Sequence, residues 1–169
     1  MKAASNMRKT KKEEKNVFEV LACTNTALRR AARRLGNLYD DALAPLGLKA
    51  TQISLLAEIE RLAAANDGKA PSLQDLANKL SIQISAMTHA LKPLMRDGLV
   101  ELQPDADDRR TKRGVLTSAG AARLEQALVY WAKANQRVEE VLGPEHAALL
   151  RTLADQVASD EFLAEYEQG

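Results

Sequence analysis

Disulfide chemistry is closed to this chain, because its 169 residues include one cysteine, Cys23. Such usage fits a reducing compartment, and the cytoplasm is the expected location. Aromatic residues are scarce at 4%, with a single tryptophan. That scarcity, beside abundant Ala and Leu, disfavours a β-sandwich and favours helices. No apolar run approaches the roughly 20 residues that span a bilayer. The basic start (Lys2, Arg8, Lys9, Lys11, Lys12, Lys15) is not followed by a signal-peptide apolar core. No membrane partner is expected, and residues 1–15 read as a disordered, solvated basic tail. Neither sign of charge dominates: 24 Lys and Arg against 23 Asp and Glu leave +1. Any contact with nucleic acid must therefore come from local clusters. Catalytic constellations are missing as well. The two histidines, His89 and His146, lie in separate segments, and there is neither a glycine-rich phosphate loop nor a metal-ligand spacing. No catalytic residue, metal or cofactor is expected, so the chain reads as a binding protein and not an enzyme.

What is present is helical periodicity with one interruption. Leu21, Leu28, Leu35 and Ala42 recur every seven residues, predicting a long helix over 16–44 that Pro45 and Gly47 end. A second helix is predicted over 51–65. Ser72-Leu73-Gln74-Asp75 resembles a capping box and opens a short helix to residue 80. Ser81 is the expected N-cap of the next helix, 82–96, which Asp97-Gly98 terminates. Two helices this close must cross steeply, the outline of a helix-turn-helix. The period then switches to two: 99–103 and 113–117 are β candidates, so 105–112 is a hairpin tip. Thr117-Ser118 caps a long helix to residue 142, with Leu124, Leu128, Trp131 and Val138 inward. Gly143-Pro144 starts a last helix whose expected buried face is Leu149, Leu150, Leu153 and Val157.

The second helix of the helix-turn-helix divides sharply. Ile84, Met87, Leu91, Leu94 and Met95 fall on one side of a helical wheel and are expected in the core. Opposite lie Ser85, His89, Lys92 and Arg96, with Thr88 on the flank and Gln83 near the N-terminus; no acid interrupts this face before Asp97. Short polar groups followed by cations suit a helix in a DNA major groove. A solvated polar face is the plainer alternative. Pro93 removes a donor to His89 and threatens a kink that would redirect Lys92 and Arg96. The hairpin tip carries Arg109, Arg110, Lys112 and Arg113, which have the reach for the adjacent minor groove. Asp108 is read as aiming the Arg110 guanidinium by pairing with it.

The stretch "SLQDLANKLSIQISAMTHALKPLMRDGLVELQPDADDRRTKRGVLTSAG" (72–120) resembles the winged helix-turn-helix core of the MarR family of bacterial transcriptional regulators. The marks are "LA..L" at 76–80, Thr88, "DGLV" at 97–100, "D..DRR" at 105–110 and "LTSAG" at 116–120. With "LRRAARRLGNLYDDALAPLGL" at 28–48, the likeness covers roughly residues 17–160. It implies a mostly α fold: a winged helix-turn-helix at 49–117, between long helices (16–48 and 118–166) that interlock two chains as a homodimer. The dimer would set two winged helices on a pseudo-palindromic double-stranded DNA operator, as a repressor. Carried over by position, base and phosphate contacts fall on Ser85, Thr88, His89 and Lys92, with Ser72, Gln83 and Arg96 beside them. The wing pair falls on Asp108 and Arg110, and the reach of the tip adds Arg109 and Arg113 as DNA-binding candidates.

The resemblance also implies a small-molecule effector, often an aromatic acid or phenol, held between the dimerisation helices and the winged helix. Arg29, Arg30, Arg33 and Arg34 are candidates to meet a carboxylate or an acyl-CoA phosphate. The alternative for them is a solvated face paired with Glu19, Asp40 and Asp41. Tyr39 and Trp131 either line an apolar pocket or belong to the core. Some members sense peroxides through a cysteine near the start of the first helix, which makes Cys23 a redox candidate; two turns or more separate it from Arg30 and Arg34. A protein-interaction winged helix without DNA binding is the rival of another class, and a titration with bulk DNA at low salt separates the two.

Overall fold

A computed structural model describes residues 23–169. The basic tail at 1–15, the predicted helix start at residue 16, and Leu21 and Glu19 lie outside the described residues. The chain divides into two compact units, Met1–Asn37 and Leu38–Gly169. Helix α1 spans Thr24–Leu43 and carries the predicted heptad stripe with Leu28, Leu35 and Ala42 half-buried. Pro45 turns the next residues into a short 3-10 helix, Ala44–Leu46, and Gly47 closes it in the left-handed conformation (φ 64°).

In the second unit, α2 (Ala50–Ala64) follows. Asp40 Oδ1 accepts from the Ala50 amide at 2.7 Å, satisfying one of the helix's orphan donors. Helix α3 (Leu73–Lys79) opens on the predicted box: Ser72 Oγ accepts from the Asp75 amide (3.1 Å), and Asp75 Oδ2 accepts from the Ser72 amide (2.8 Å). Helix α4 (Ile84–Arg96) then starts later than expected, with Gln83 and not Ser81 at the N-cap. Ser81 instead ends α3, in the left-handed region at φ 50°. The Ile82 amide donates to Ala77 O and the Ser81 amide to Asn78 O, a Schellman closure with serine where glycine is usual. Helix α4 continues through Pro93 to Arg96.

Strands β1 (Val100–Pro104) and β2 (Lys112–Leu116) pair antiparallel, with Val100 opposite Leu116 and Pro104 opposite Lys112. Ser72 bridges Arg113, so the segment before α3 lies along β2. Helix α5 (Ser118–Leu142) is capped by Thr117 Oγ1, which accepts from the Gly120 amide at 3.0 Å. Helix α6 (Pro144–Val157) and helix α7 (Asp160–Gln168) complete the chain. The last predicted helix is thus two, divided where Ser159 Oγ accepts from the Phe162 amide. No helix among the described residues is long and apolar enough to cross a membrane.

One core joins Leu43, Ile53, Leu56 and Ile59 to Leu76, Met87, Leu91 and Leu94, and is closed by Val100, Leu124 and Ala127. Ile84 and Met95, expected inside, are exposed, because they sit on the flank between the core face and the polar face of α4. Leu128 is exposed too, as are Leu149, Leu150, Leu153 and Val157, the whole expected buried face of the last helix. Among the described residues of the second unit, nothing covers them.

Candidate nucleic-acid interface

The second helix of the helix-turn-helix is α4, seated by Met87, Leu91 and Leu94, each fully buried. That seating turns Ser85, His89 and Lys92 outward. All three are exposed, and their side chains make no hydrogen bond or ion pair among the described residues. Thr88 differs: its hydroxyl donates to the Ile84 carbonyl at 3.0 Å. Its one donor is spent on the helix. Arg96 is held by its neighbour Asp97, at 2.8 and 3.4 Å through two nitrogens. The pairing raises the arginine and lowers the carboxyl from their ordinary values. Ser72, a predicted contact, is nearly buried in its capping box and faces α3.

The tip of the wing sorts its charges into two sets. Asp105 is only 6% exposed. Its Oδ1 accepts from the amides of Asp107 (2.9 Å) and Asp108 (3.1 Å), and its Oδ2 pairs with the Arg113 guanidinium. Arg113 also donates to the Ala70 carbonyl at 2.6 Å, and Lys69 Nζ stands 3.9 Å from the same carboxylate. The Arg113 guanidinium, helped by the two amides, holds the Asp105 carboxyl well below the usual carboxylate range. Arg113 is therefore a strut between the wing and the loop before α3, not the free groove contact expected. Asp108 is corrected as well. Its Oδ1 accepts from the Arg110 backbone amide (3.0 Å) and its Oδ2 from the Thr111 hydroxyl (3.0 Å), so it fixes the turn and forms no pair with the Arg110 guanidinium. Arg109 and Arg110 remain exposed, and their side chains are unpaired among the described residues.

Sequence reasoning missed the Asp105–Arg113–Ala70 linkage. A local signal was present for the turn alone, since an Asp two and three residues before free amides forms an Asx-type turn; nothing local pointed to Arg113 or Ala70. Because the Asp105 pKa is depressed, its stabilising contribution is complete above the unfolded carboxyl value of about 4 and is lost as pH falls through the lower folded value. Asp105→Asn is expected to lower the thermal midpoint at pH 7 by several degrees and to flatten its acid dependence below about pH 4. Melting curves from neutral to acid pH check this. Parallel curves for native and variant proteins would remove the strut.

Of the effector candidates, Arg29, Arg30, Arg33 and Arg34 belong to the first unit and Tyr39 and Trp131 to the second. Arg29, Arg30, Arg33 and Arg34 are exposed on α1 without an ion pair among the described residues, while Asp40 is taken by Lys49 (3.2 Å) and Ala50. Tyr39 and Trp131 pack on one another, ring centroids 4.5 Å apart, and the Tyr39 hydroxyl donates to Asn135 Oδ1 at 3.0 Å. Burial pushes the Tyr39 phenol up. A cleft of about 1050 Å³ lies elsewhere, between α2, α3 and the α6–α7 junction. Five carboxylates (Glu58, Asp75, Asp155, Asp160, Glu161) line it against Lys69 and Lys79, the wrong sign for an organic acid, and neither Tyr39 nor Trp131 lines it. Cys23 immediately precedes α1 and is exposed, its thiol lowered by hydrogen bonds from the Thr26 amide and hydroxyl. Among the described residues no group of three or more His, Cys, Asp or Glu is placed to hold a metal ion.

The geometry has known counterparts. The sequence profile of the MarR family matches residues 48–112. The multiple antibiotic resistance protein MarR of Salmonella typhimurium is 32% identical over 127 residues, which cover 75% of this chain and 77% of that protein. The M. tuberculosis transcriptional regulator MosR, solved in complex with DNA, superposes with a TM-score of 0.66 at 35% identity, over 79% of this chain and 92% of that one. A mutant of E. coli MarR, solved with operator DNA, gives 0.72 at 26% identity, over 83% and 96%.

Proposed function

Because the chain belongs to the MarR family of transcriptional regulators, we propose that it works as a cytoplasmic homodimeric repressor that grips a pseudo-palindromic operator and is released by a small effector. The family is one of DNA-binding transcription factors, not of enzymes. One observation carries the finer reading: the acid-free outer face of α4 stands in the same unit as a wing tip whose Arg109 and Arg110 have no partner among the described residues. Ser85, His89 and Lys92 then take the major groove, and the two arginines the minor groove beside it.

The dimer is supported by the apolar face that stays exposed among the described residues. Leu149, Leu153 and Val157 recur every four residues along α6, and Phe162 and Leu163 continue the apolar surface onto α7. A surface of this kind calls for a partner, and a second copy covers it symmetrically. In this assignment 16–48 and 118–166 join the chains and 49–117 reads DNA. Sedimentation at micromolar concentration is expected to give a dimer, and Leu153→Glu a monomer with weakened operator binding. A native protein that sediments as a stable monomer would overturn the assembly.

Release by a small aromatic acid or acyl-CoA-type effector rests on the family and on the arginines of α1, which have no partner among the described residues and suit an anion. A thermal-shift screen of such compounds, followed by operator release, tests it; no shift with any compound that releases operator would count against direct binding. The exposed, lowered Cys23 thiol favours a second reading, an oxidation switch. That reading requires release by hydroperoxide that Cys23→Ser abolishes.

A further inference from the structure

The inserted end of the helix-turn-helix carries no charge. Residues 81–88 read Ser-Ile-Gln-Ile-Ser-Ala-Met-Thr, and the first lysine or arginine of α4 is Lys92. Recognition helices contact bases with residues near their N-terminal end. The commonest specific contact, arginine or lysine on guanine O6 and N7, is unavailable there. Three observations show what stands in its place. Gln83 occupies the N-cap position, yet its side chain caps nothing and is exposed, so its amide is uncommitted among the described residues. Ile84 is 46% exposed, an apolar side chain beside polar neighbours. The Thr88 hydroxyl is turned onto the Ile84 carbonyl, which leaves its γ-methyl as the group it can offer outward.

We propose that this tip reads A·T pairs, with the Gln83 amide on N6 and N7 of an adenine and the Ile84 side chain and Thr88 methyl closing on the C5-methyl of a thymine. In the major groove only adenine presents the donor and acceptor that match a carboxamide, and only thymine presents a methyl. Ile84 and Thr88 are four residues apart on a helix, so their apolar groups form one edge on one flank of α4. The assignment rests on the reading that α4 enters the major groove, and it gives that reading a substrate class: half-sites with A·T under the tip. The same composition narrows the minor groove and suits Arg109 and Arg110, which have no partner among the described residues.

The test uses the full chain and a pool of duplexes with randomised positions, selected by retention at low salt. Selected half-sites are expected to hold A·T under the tip. One retained duplex is then resynthesised with deoxyuridine for each thymine in turn and with 7-deazaadenine, which lacks the N7 acceptor, for each adenine. At one thymine per half-site, loss of the methyl is expected to weaken binding about fourfold, the transfer value of one buried methyl group. At one adenine, loss of N7 is expected to weaken it comparably. In the double variant Ile84→Ala, Thr88→Ser the deoxyuridine effect should vanish, while the thermal midpoint holds. Guanine or cytosine under the tip, or a methyl effect that survives in the double variant, would overturn the proposal. Retention of no duplex at all would instead sink the DNA-binding reading, and this assignment with it.

Discussion

Gly120→Ala is expected to lower folding stability by about 3 kcal/mol or more, the upper range for overpacking a site that cannot relax. Gly120 lies in the first turn of α5, and that turn is docked on the segment linking α4 to β1. The Thr117 amide donates to Leu99 O (3.1 Å), and the Thr117 hydroxyl to Gly98 O (2.7 Å). A Cβ at position 120 would stand 2.0 Å from Leu99 O and 2.9 Å from its carbonyl carbon. Both are backbone atoms, so no rotamer change relieves the clash. Leu99 and Val100 are themselves buried and hold the segment in place. The start of α5 must lift instead, drawing Leu124 and Ala127 out of the core. Domains have only about 5–15 kcal/mol in hand, so the variant should be marginal. Urea titration followed by circular dichroism should show a much lower midpoint at an unchanged slope. An unchanged midpoint would mean that α5 is not seated on Leu99.

The fold was legible where single residues carry local signals. Ser72 with Asp75, Thr117, and Gly143-Pro144 each mark a helix start through groups the chain itself supplies, and each is found there. The change of period after Gly98 marked the strands for the same reason. Ser81 misled because serine before an apolar run is the usual N-cap signal; the left-handed closure that claims it normally announces itself with glycine. Leu149, Leu150, Leu153 and Val157 misled in another way. Periodicity reports that a face is apolar, not which chain covers it. At the wing, the crowding of charge was visible, but its division was not. Asp105 and Arg113 are eight residues apart, and only the register of β1 on β2, with Gln103 opposite Arg113, brings them together.

That division gives the wing its sharpest prediction. Arg110→Ala is expected to weaken binding to a selected operator duplex by about 1–3 kcal/mol, with the thermal midpoint unchanged. The Arg110 amide is fastened by Asp108 Oδ1, while its side chain is exposed and unpaired among the described residues, so truncation deletes a contact and no packing. Asp108→Ala should weaken binding too. Coulomb's law alone says otherwise, since removing an anion near phosphate favours association. At an exposed, salt-screened tip that gain is small. The loss of two hydrogen bonds that order the turn moves its entropy cost into the binding step. Arg113→Ala should behave differently again: it leaves Asp105 buried and without its main partner, so the thermal midpoint falls and DNA affinity drops only as the wing loosens. Fluorescence anisotropy beside thermal melts resolves the three variants. Equal losses of affinity for Arg110→Ala and Arg113→Ala, with both midpoints untouched, would show that the two arginines share one role and that the wing's charges are not divided between strut and probe.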